Sequence, residues 1–209
     1  MVNSESAFYY VHDPMCSWCW AHLPVWQKFE ACLVDLVPVH YVLGGLAPDC
    51  DHPMPAEQQK AIAGYWQKIN NLLGTPFNFN FWSENIPRRS TYPACRAVIA
   101  ASWQNKMHEM NSAVQKAYYL RAMNPSDVET HLILAEELGL NIDQFKADLS
   151  SAKLADEFKR QLTLAGNLPI QGFPSMVLKH QGKSYPIELD YKDYRGALAQ
   201  VKTILAIAS

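Results

Sequence analysis

Two cysteines near the start of the chain have the spacing of a redox pair. Cys16 and Cys19 are separated by Ser17 and Trp18. The run 7–11 before them is rich in aromatic and β-branched residues and predicts a strand, and the apolar spacing after Cys16 predicts a helix. A sulfur at the start of a helix lies beside unpaired backbone N–H groups and the positive end of the helix dipole, which favour the thiolate. We therefore predict that Cys16 is the reactive thiol and that Cys19, one turn further in and more buried, resolves mixed disulfides.

The elements that must position this pair are strands on either side of a long helical segment. The predicted order is strand, helix, strand, then strand, strand, helix, with elements near residues 7–11, 16–32, 37–43, 175–179, 183–189 and 191–208. Between them, helical patterns begin at Pro55 and continue to Ala165, and β character returns after Gly166. The pattern predicts a discontinuous α/β domain, residues 1–55 and 166–209, and an inserted all-helical domain, residues 56–165.

A proline in the predicted first helix points to a known family. Pro24 lies five residues after Cys19, where an interior proline would ordinarily argue against a helix. At this point the chain resembles the thioredoxin superfamily, whose active-site helix carries a proline at that offset. The stretch 13–20, Asp-Pro-Met-Cys-Ser-Trp-Cys-Trp, is similar to cytoplasmic DsbA-family proteins of the FrnE-like kind. The resemblance implies an α/β fold with a thioredoxin-like core and a large all-helical insertion.

A second motif, Gly172-Phe173-Pro174-Ser175, stands just before the predicted third strand. The resemblance implies that Pro174 follows a cis peptide bond opposite the cysteine pair and that Phe173 contacts an extended substrate. Trp18, inside the cysteine motif, is expected to shape the site by limiting which disulfides can approach. We therefore expect Trp18, Phe173 and Pro174 to bind substrate.

Two histidines flank the cysteine pair. His12 and His22, taken with Cys16 and Cys19, could in principle close a tetrahedral zinc site, but the spacing differs from that of common zinc fingers. We therefore predict no metal. His22 is expected to be half-exposed and to line the substrate site, where it could also stabilise a thiolate.

The other cysteines carry weaker signals. Cys32 and Cys95 lie on apolar helical stretches and are expected to be buried and inert, whereas Cys50 lies between aspartates and is expected to be exposed. Ser90 and Thr91 precede a predicted helix and are expected to cap it.

Composition excludes several classes of protein. The formal net charge of the 209-residue chain is -2, and no basic cluster exceeds Arg88-Arg89, so nucleic acid and anionic membranes are not expected partners. No apolar run is long enough to cross a bilayer, and residues 1–7 do not resemble a secretory signal. We expect a cytoplasmic protein, either a monomer or a homodimer.

The motifs together favour a thiol–disulfide oxidoreductase of the protein disulfide oxidoreductase or isomerase type. Its partners would be protein or small-molecule disulfides and thiols, and it would need no cofactor beyond the redox pair, with glutathione as a candidate co-substrate. One alternative is a glutathione-dependent transferase or isomerase of the kappa-class type, although those relatives have a serine at the position of Cys16. The other is a non-catalytic module that binds a metal or a partner.

Overall fold

The computed structural model describes residues 6–206. Residues 1–5 and 207–209 lie outside it. They include most of the N-terminal segment that was compared with a secretory signal and the end of the predicted last helix. Within residues 6–206 the chain forms four strands and nine helices. In chain order they are β1 Ser6–His12, α1 Ser17–Leu33, β2 Val39–Leu43, α2 Ala56–Leu73, α3 Phe81–Glu84, α4 Tyr92–Ser102, α5 Met107–Leu120, α6 Val128–Glu137, α7 Ile142–Leu149, α8 Ala152–Asn167, β3 Ser175–His180, β4 Lys183–Ile187 and α9 Arg195–Leu205.

The four strands form one sheet in the order β2-β1-β3-β4. β1 pairs parallel with β2 across the α1 connection, and it pairs antiparallel with β3. β3 and β4 form an antiparallel hairpin whose turn has positive φ at Gln181 and Gly182. Because β1 is central, the loop that follows it emerges at the middle of the sheet edge. This loop leads directly to Cys16.

Alternation along β1 divides the sheet into two buried faces. Phe8 and Tyr10 pack with Trp26 and Phe29 of α1, in a cluster that also includes Val201 of α9. The β1 residues that alternate with these point to the other face of the sheet, which the end of α8 covers. The cluster on that face contains Val11, Val42, Val177, Ala165 and Leu168. The sheet therefore lies between α1 and α9 on one side and α8 on the other.

The helices between β2 and β3 share an apolar cluster of their own. At its centre the fully buried Trp66 ring contacts aromatic rings of the 77–82 stretch and of α5, including Tyr118 and Tyr119. The same cluster includes Met15 and Leu43, which belong to the strand-bearing part of the chain. The apolar core of the helical segment is thus continuous with the loop that carries the cysteines. The domain boundaries at residues 55 and 165 stay a prediction.

Helix α1 accommodates Pro24 in its interior. The pyrrolidine ring removes one backbone donor, but the helix continues to Leu33 because its buried face packs against the sheet. No helix within residues 6–206 combines the length and apolar character that a membrane span requires.

Candidate active site

Cys16 is the residue that begins α1. It occupies the N-cap position with extended backbone angles (φ -84, ψ 116), and its carbonyl accepts the first helical bond, from the Trp20 N–H at 3.0 Å. The free N–H groups of the first turn and the N-terminal end of the helix dipole therefore surround its sulfur. The Cys16 thiol is 6% exposed and donates to the carbonyl oxygen of Phe173 at 3.3 Å.

The two sulfurs of the motif have opposite electrostatic character. The pKa of Cys16 is lowered, chiefly because the Cys19 thiol donates a hydrogen bond to its sulfur, with further help from the backbone N–H groups of Cys19 and Trp18. The pKa of Cys19 is raised well above its ordinary value, first because Cys19 is buried and then by its interaction with Cys16. The arrangement shifts Cys16 toward the thiolate and keeps Cys19 protonated.

The segment facing Cys16 contains the Phe173–Pro174 peptide bond, which is cis. The ring of Phe173 packs on the backbone of Gly44, just beyond β2. A Cβ atom at Gly44 would lie 2.0 Å from the Cε1 atom of Phe173, so any larger residue there must displace the ring. This close approach packs the Phe173 ring against the chain just beyond β2, and its sequence signal is the Gly44-Gly45 pair.

His22 lies beneath the site rather than on its surface. It is 1% exposed, so the expected half-exposed position is wrong, because α1 packs that face against β1 and the loop after β4. Its Nδ1 lies 3.4 Å from the Tyr10 hydroxyl oxygen, and its ring also donates to the backbone carbonyl of Asp190. Burial lowers the pKa of His22 to about 4, opposed by Asp190. At neutral pH a neutral imidazole therefore supports the site from within.

Tyr191 is a component of the site that sequence reasoning missed. Its ring meets the half-buried Trp18 ring edge to face at 5.2 Å between centroids, and it meets His22 in the same way at 5.4 Å. The bond from His22 to the neighbouring Asp190 carbonyl anchors this part of the loop. Nothing in the local sequence marks Tyr191, because its role depends on contacts with residues about 170 positions away.

Asp13 is a fully buried carboxylate that ties the cysteine loop to the rest of the molecule. Its Oδ1 accepts from the Met15 N–H at 2.8 Å, and its Oδ2 accepts from the Leu46 N–H at 2.7 Å, the Thr91 hydroxyl at 2.7 Å and the Cys95 thiol at 3.5 Å. Burial raises the pKa of Asp13, while these bonds oppose the shift. The four donors come from three separate segments of the chain.

The expected capping role of Ser90 and Thr91 is therefore wrong. Helix α4 begins at Tyr92 without a side-chain cap. Thr91 is buried and directs its hydroxyl to Asp13, and the Ser90 hydroxyl accepts from the Cys50 N–H at 3.3 Å. Long-range partners have replaced the local bonds that the sequence suggested.

The remaining cysteines differ in their surroundings. Cys95 is fully buried as expected, and burial raises its pKa well above the ordinary value. Cys32 is half-buried, so the expectation of a fully buried thiol is wrong, because it lies at the edge of the apolar face of α1. Cys50 is also half-buried, so the expectation of an exposed thiol is wrong, because its backbone lies against Ser90, whose hydroxyl accepts the Cys50 N–H. All five cysteines fall within the described residues, and all are free thiols in this structure.

The four residues of the alternative zinc site are not arranged around one point. Within residues 6–206, no group of three or more His, Cys, Asp or Glu side chains is placed to hold a metal ion. The His22 ring is occupied by Tyr10 and Asp190.

Comparisons with known proteins cover nearly the whole chain. A family model described as thioredoxin matches residues 8–194. A Nitrosomonas europaea structure, provisionally described as a protein disulfide isomerase, aligns with a TM-score of 0.84 at 24% identity, covering 99% of this chain and 100% of that one. The cytosolic disulfide reductase DsbM from Pseudomonas aeruginosa aligns with a TM-score of 0.75 at 25% identity, covering 97% and 100%. These matches confirm the predicted thioredoxin-like α/β fold.

Curated relatives found by sequence carry a different description. A ClpXP adapter protein SpxH from Bacillus subtilis is 22% identical over 96% of this chain and 74% of its own length. The protein of the same name from Halalkalibacterium halodurans is 22% identical over 79% of this chain. This chain spans 56% of the length of that second adapter. The structural neighbours are disulfide oxidoreductases, so at the level of the family the fold supports that class of enzyme.

Proposed function

Because the chain belongs to the thioredoxin family and has a DsbA-type structure, we propose that it is a thiol–disulfide oxidoreductase that uses Cys16 and Cys19 as its redox pair. The Cys16 thiolate attacks one sulfur of a substrate disulfide, a new sulfur–sulfur bond forms, and the other substrate sulfur leaves as a thiolate. Cys19 then attacks Cys16, which closes the Cys16–Cys19 disulfide and releases the second substrate thiol. The reverse sequence reduces the pair and oxidises a substrate.

The observation that carries this proposal is the unequal electrostatics of the pair. Cys16 at the N-terminus of α1 has a lowered pKa, while burial raises the pKa of Cys19. A nucleophile needs its thiolate at neutral pH, whereas a resolving thiol must stay protonated until a mixed disulfide has formed. The two environments match these two roles.

The surface around Cys16 supports the expected substrate contacts. The cis-linked Phe173–Pro174 segment presents its carbonyl to Cys16 at 3.3 Å, and we propose that the adjacent backbone aligns an extended substrate. Trp18, backed by Tyr191, forms the other wall beside the cysteines. His22, which is buried, acts through Tyr191 and Asp190 rather than by touching substrate.

Glutathione is the small thiol that we propose as co-substrate, and the cytoplasm as the compartment. DsbM, described as a cytosolic disulfide reductase, has also been solved with GSH, and that structure aligns with a TM-score of 0.72 at 24% identity. A reducing compartment rich in glutathione would supply the electrons that recycle the Cys16–Cys19 disulfide.

Substitution of each cysteine tests the proposal. Cys16→Ser should abolish reduction of a glutathione-coupled disulfide substrate, and Cys19→Ser should accumulate a mixed disulfide on Cys16 that mass spectrometry detects. Cys32→Ser, which removes a half-buried thiol near the end of α1, is the matched control and should keep full activity. Undiminished turnover by the Cys16→Ser protein would contradict the assignment.

The same variants separate two alternatives. A kappa-class type of glutathione transferase or isomerase would keep its turnover in Cys19→Ser, because that chemistry has no resolving step. A non-catalytic adapter, which the names of the SpxH relatives suggest, would show no disulfide turnover in the wild type and would bind its partner equally well in the Cys16→Ser and Cys19→Ser proteins.

A further inference from the structure

A cavity of about 220 Å³ lies beside the resolving cysteine. Its inner wall consists of the buried residues Cys19, His12 and Gln115, and its outer wall includes the exposed side chains of Gln27 and His108. The cavity, named here the Cys19 cavity, thus extends from a sulfur that is 2% exposed to the protein surface.

Two orphaned polar atoms show that the Cys19 cavity is suited to water. The Oδ1 atom of Asn111 and the Oε1 atom of Gln115 are buried and have no hydrogen-bond partner in the protein, and both residues line the cavity. Buried amides without protein partners are satisfied by internal water where there is room, and a water molecule occupies about 30 Å³ of liquid volume. The cavity has room for several water molecules, enough for a connected chain.

A water chain gives the Cys19 proton a destination, because the buried groups around this thiol either make hydrogen bonds elsewhere or are weak bases. Under the proposed function, Cys19 must become a thiolate before it can attack the mixed disulfide on Cys16. The buried acid Asp13 already accepts four hydrogen bonds, three of them on Oδ2 and one, from the Met15 N–H, on Oδ1. Asp13 contacts the Cys19 sulfur through its backbone N–H, which is a donor.

Other titratable groups surround Cys19 and the cavity. They are Tyr10 and His12 from β1, Tyr41 from β2, His108 and Tyr119 from α5, and Tyr191 from the loop after β4. The tyrosines are protonated at neutral pH, since burial raises the pKa of Tyr10, Tyr41, Tyr119 and Tyr191. Burial lowers the pKa of His12 to about 3, so this imidazole is neutral at neutral pH and is a weak proton acceptor.

We propose that the Cys19 cavity is a hydrated proton exit, through which the Cys19 proton leaves to solvent as the resolving disulfide forms. The proton passes from the Cys19 thiol to water in the cavity and out past Tyr41, Glu30 and His108. The Tyr41 hydroxyl accepts from the Trp26 indole N–H at 2.7 Å and is hydrogen-bonded to Glu30 near the mouth. The Cys19 thiolate then bonds to the Cys16 sulfur, the bond from Cys16 to the substrate sulfur breaks, and the departing thiolate takes a proton from solvent.

A two-step assay isolates this exit from the rest of the reaction. Reduced protein is mixed rapidly with oxidised glutathione and quenched with acid, and mass spectrometry follows the mixed disulfide on Cys16 and then the Cys16–Cys19 disulfide. In an Asn111→Leu/Gln115→Leu protein, apolar side chains replace both orphaned amides. We expect formation of the mixed disulfide to keep its wild-type rate and its resolution at pH 7 to slow by about 100-fold, the lower end of the roughly 10²- to 10⁴-fold contribution of a positioned proton-transfer route. The deficit should shrink as the pH is raised.

Two further variants keep the test decisive. Gln115→Asn retains an amide and should restore most of the resolution rate, which a purely structural role of the site would not predict. Ser112→Leu narrows the outer part of the cavity and leaves the two buried amides in place. It replaces the double variant in the test if that protein does not fold. It should slow resolution of the mixed disulfide and leave the rate of its formation unchanged. Wild-type resolution rates in the variants that fold would overturn the proposal. A wild-type protein that forms no mixed disulfide would instead refute the proposed function itself.

Discussion

The buried carboxylate of Asp13 can be tested by the substitution Asp13→Asn. An asparagine in the same position has one acceptor oxygen and one NH₂ donor. The carboxylate accepts the Met15 N–H on one oxygen and the Leu46 N–H on the other. In either orientation of the amide, one of these two backbone N–H groups faces a donor. The Thr91 hydroxyl can rotate and need not lose its partner, so the minimum damage is one orphaned backbone donor.

The expected loss of stability follows from the number of backbone N–H groups that lose their acceptor. A buried N–H group that loses its partner costs about 1–3 kcal/mol. Burial raises the pKa of Asp13, so the neutral amide also removes an unfavourable buried charge, which offsets part of the loss of charge-assisted bonds. We expect Asp13→Asn to lower the free energy of unfolding by about 1–3 kcal/mol at pH 7, and Asp13→Ala, which orphans both N–H groups, by about twice as much.

Denaturation in urea, with the m-value monitored, measures the loss. The matched control is Asp49→Asn, the same chemical change at an exposed carboxylate whose two oxygens each lie 2.8 Å from the guanidinium of Arg96. An exposed ion pair contributes about 0–1 kcal/mol, so this control should change the stability little. If Asp13→Asn costs no more than Asp49→Asn, the reasoning about the carboxylate is refuted.

The pH dependence of the same variant gives a second measurement. Because the pKa of Asp13 is raised in the folded protein, its ionisation destabilises the fold progressively as the pH rises from the ordinary aspartate pKa through the folded value. Asp13→Asn lacks this titration. The stability difference between wild type and variant should therefore be largest in acid and smaller at neutral pH, and an unchanging difference would contradict the raised pKa.

Two other predictions follow from packing and from buried histidines. Gly44→Ala should displace the Phe173 ring and slow disulfide exchange by about 10- to 100-fold, whereas Gly64→Ala, where a Cβ has nothing within 4 Å, should leave the rate unchanged in the same kinetic assay. Burial lowers the folded pKa of His12 to about 3 and of His22 to about 4, so their contribution to stability should be complete above the unfolded pKa of about 6.5 and lost as the pH falls. Urea denaturation between neutral pH and pH 4 should give a flatter pH dependence for His12→Gln than for the wild type.

The parts of the fold that sequence predicted are those governed by local patterns. Alternation in β1, helical spacing after Cys16 and the turn at Gln181-Gly182 all depend on residues within a few positions of one another. For this reason the order of the elements was predictable. The cysteine pair was equally visible, because the start of a helix fixes the environment of Cys16 without reference to distant residues.

The supporting residues of the site could not be predicted because their partners are remote in sequence. A threonine before a helix ordinarily caps it, but Thr91 donates instead to Asp13, 78 residues earlier. His22 follows the cysteine motif and has polar character, yet the loop containing Asp190 covers it. In each case tertiary packing replaced the local bond, and a single sequence carries no signal for such contacts.

The hydrogen bonds of Asp13 bear on when, during synthesis, the chain becomes able to exchange disulfides. They join positions 33, 78 and 82 residues apart in the sequence. The cysteine motif is therefore made long before the segments that hold its loop in shape. A nascent chain exposes both thiols while Asp13 still lacks Thr91 and Cys95, and closing these long loops is a late and entropically costly event. We expect the redox pair to mature only after α4 has docked, so the helical segment sets the time at which the protein begins to exchange disulfides.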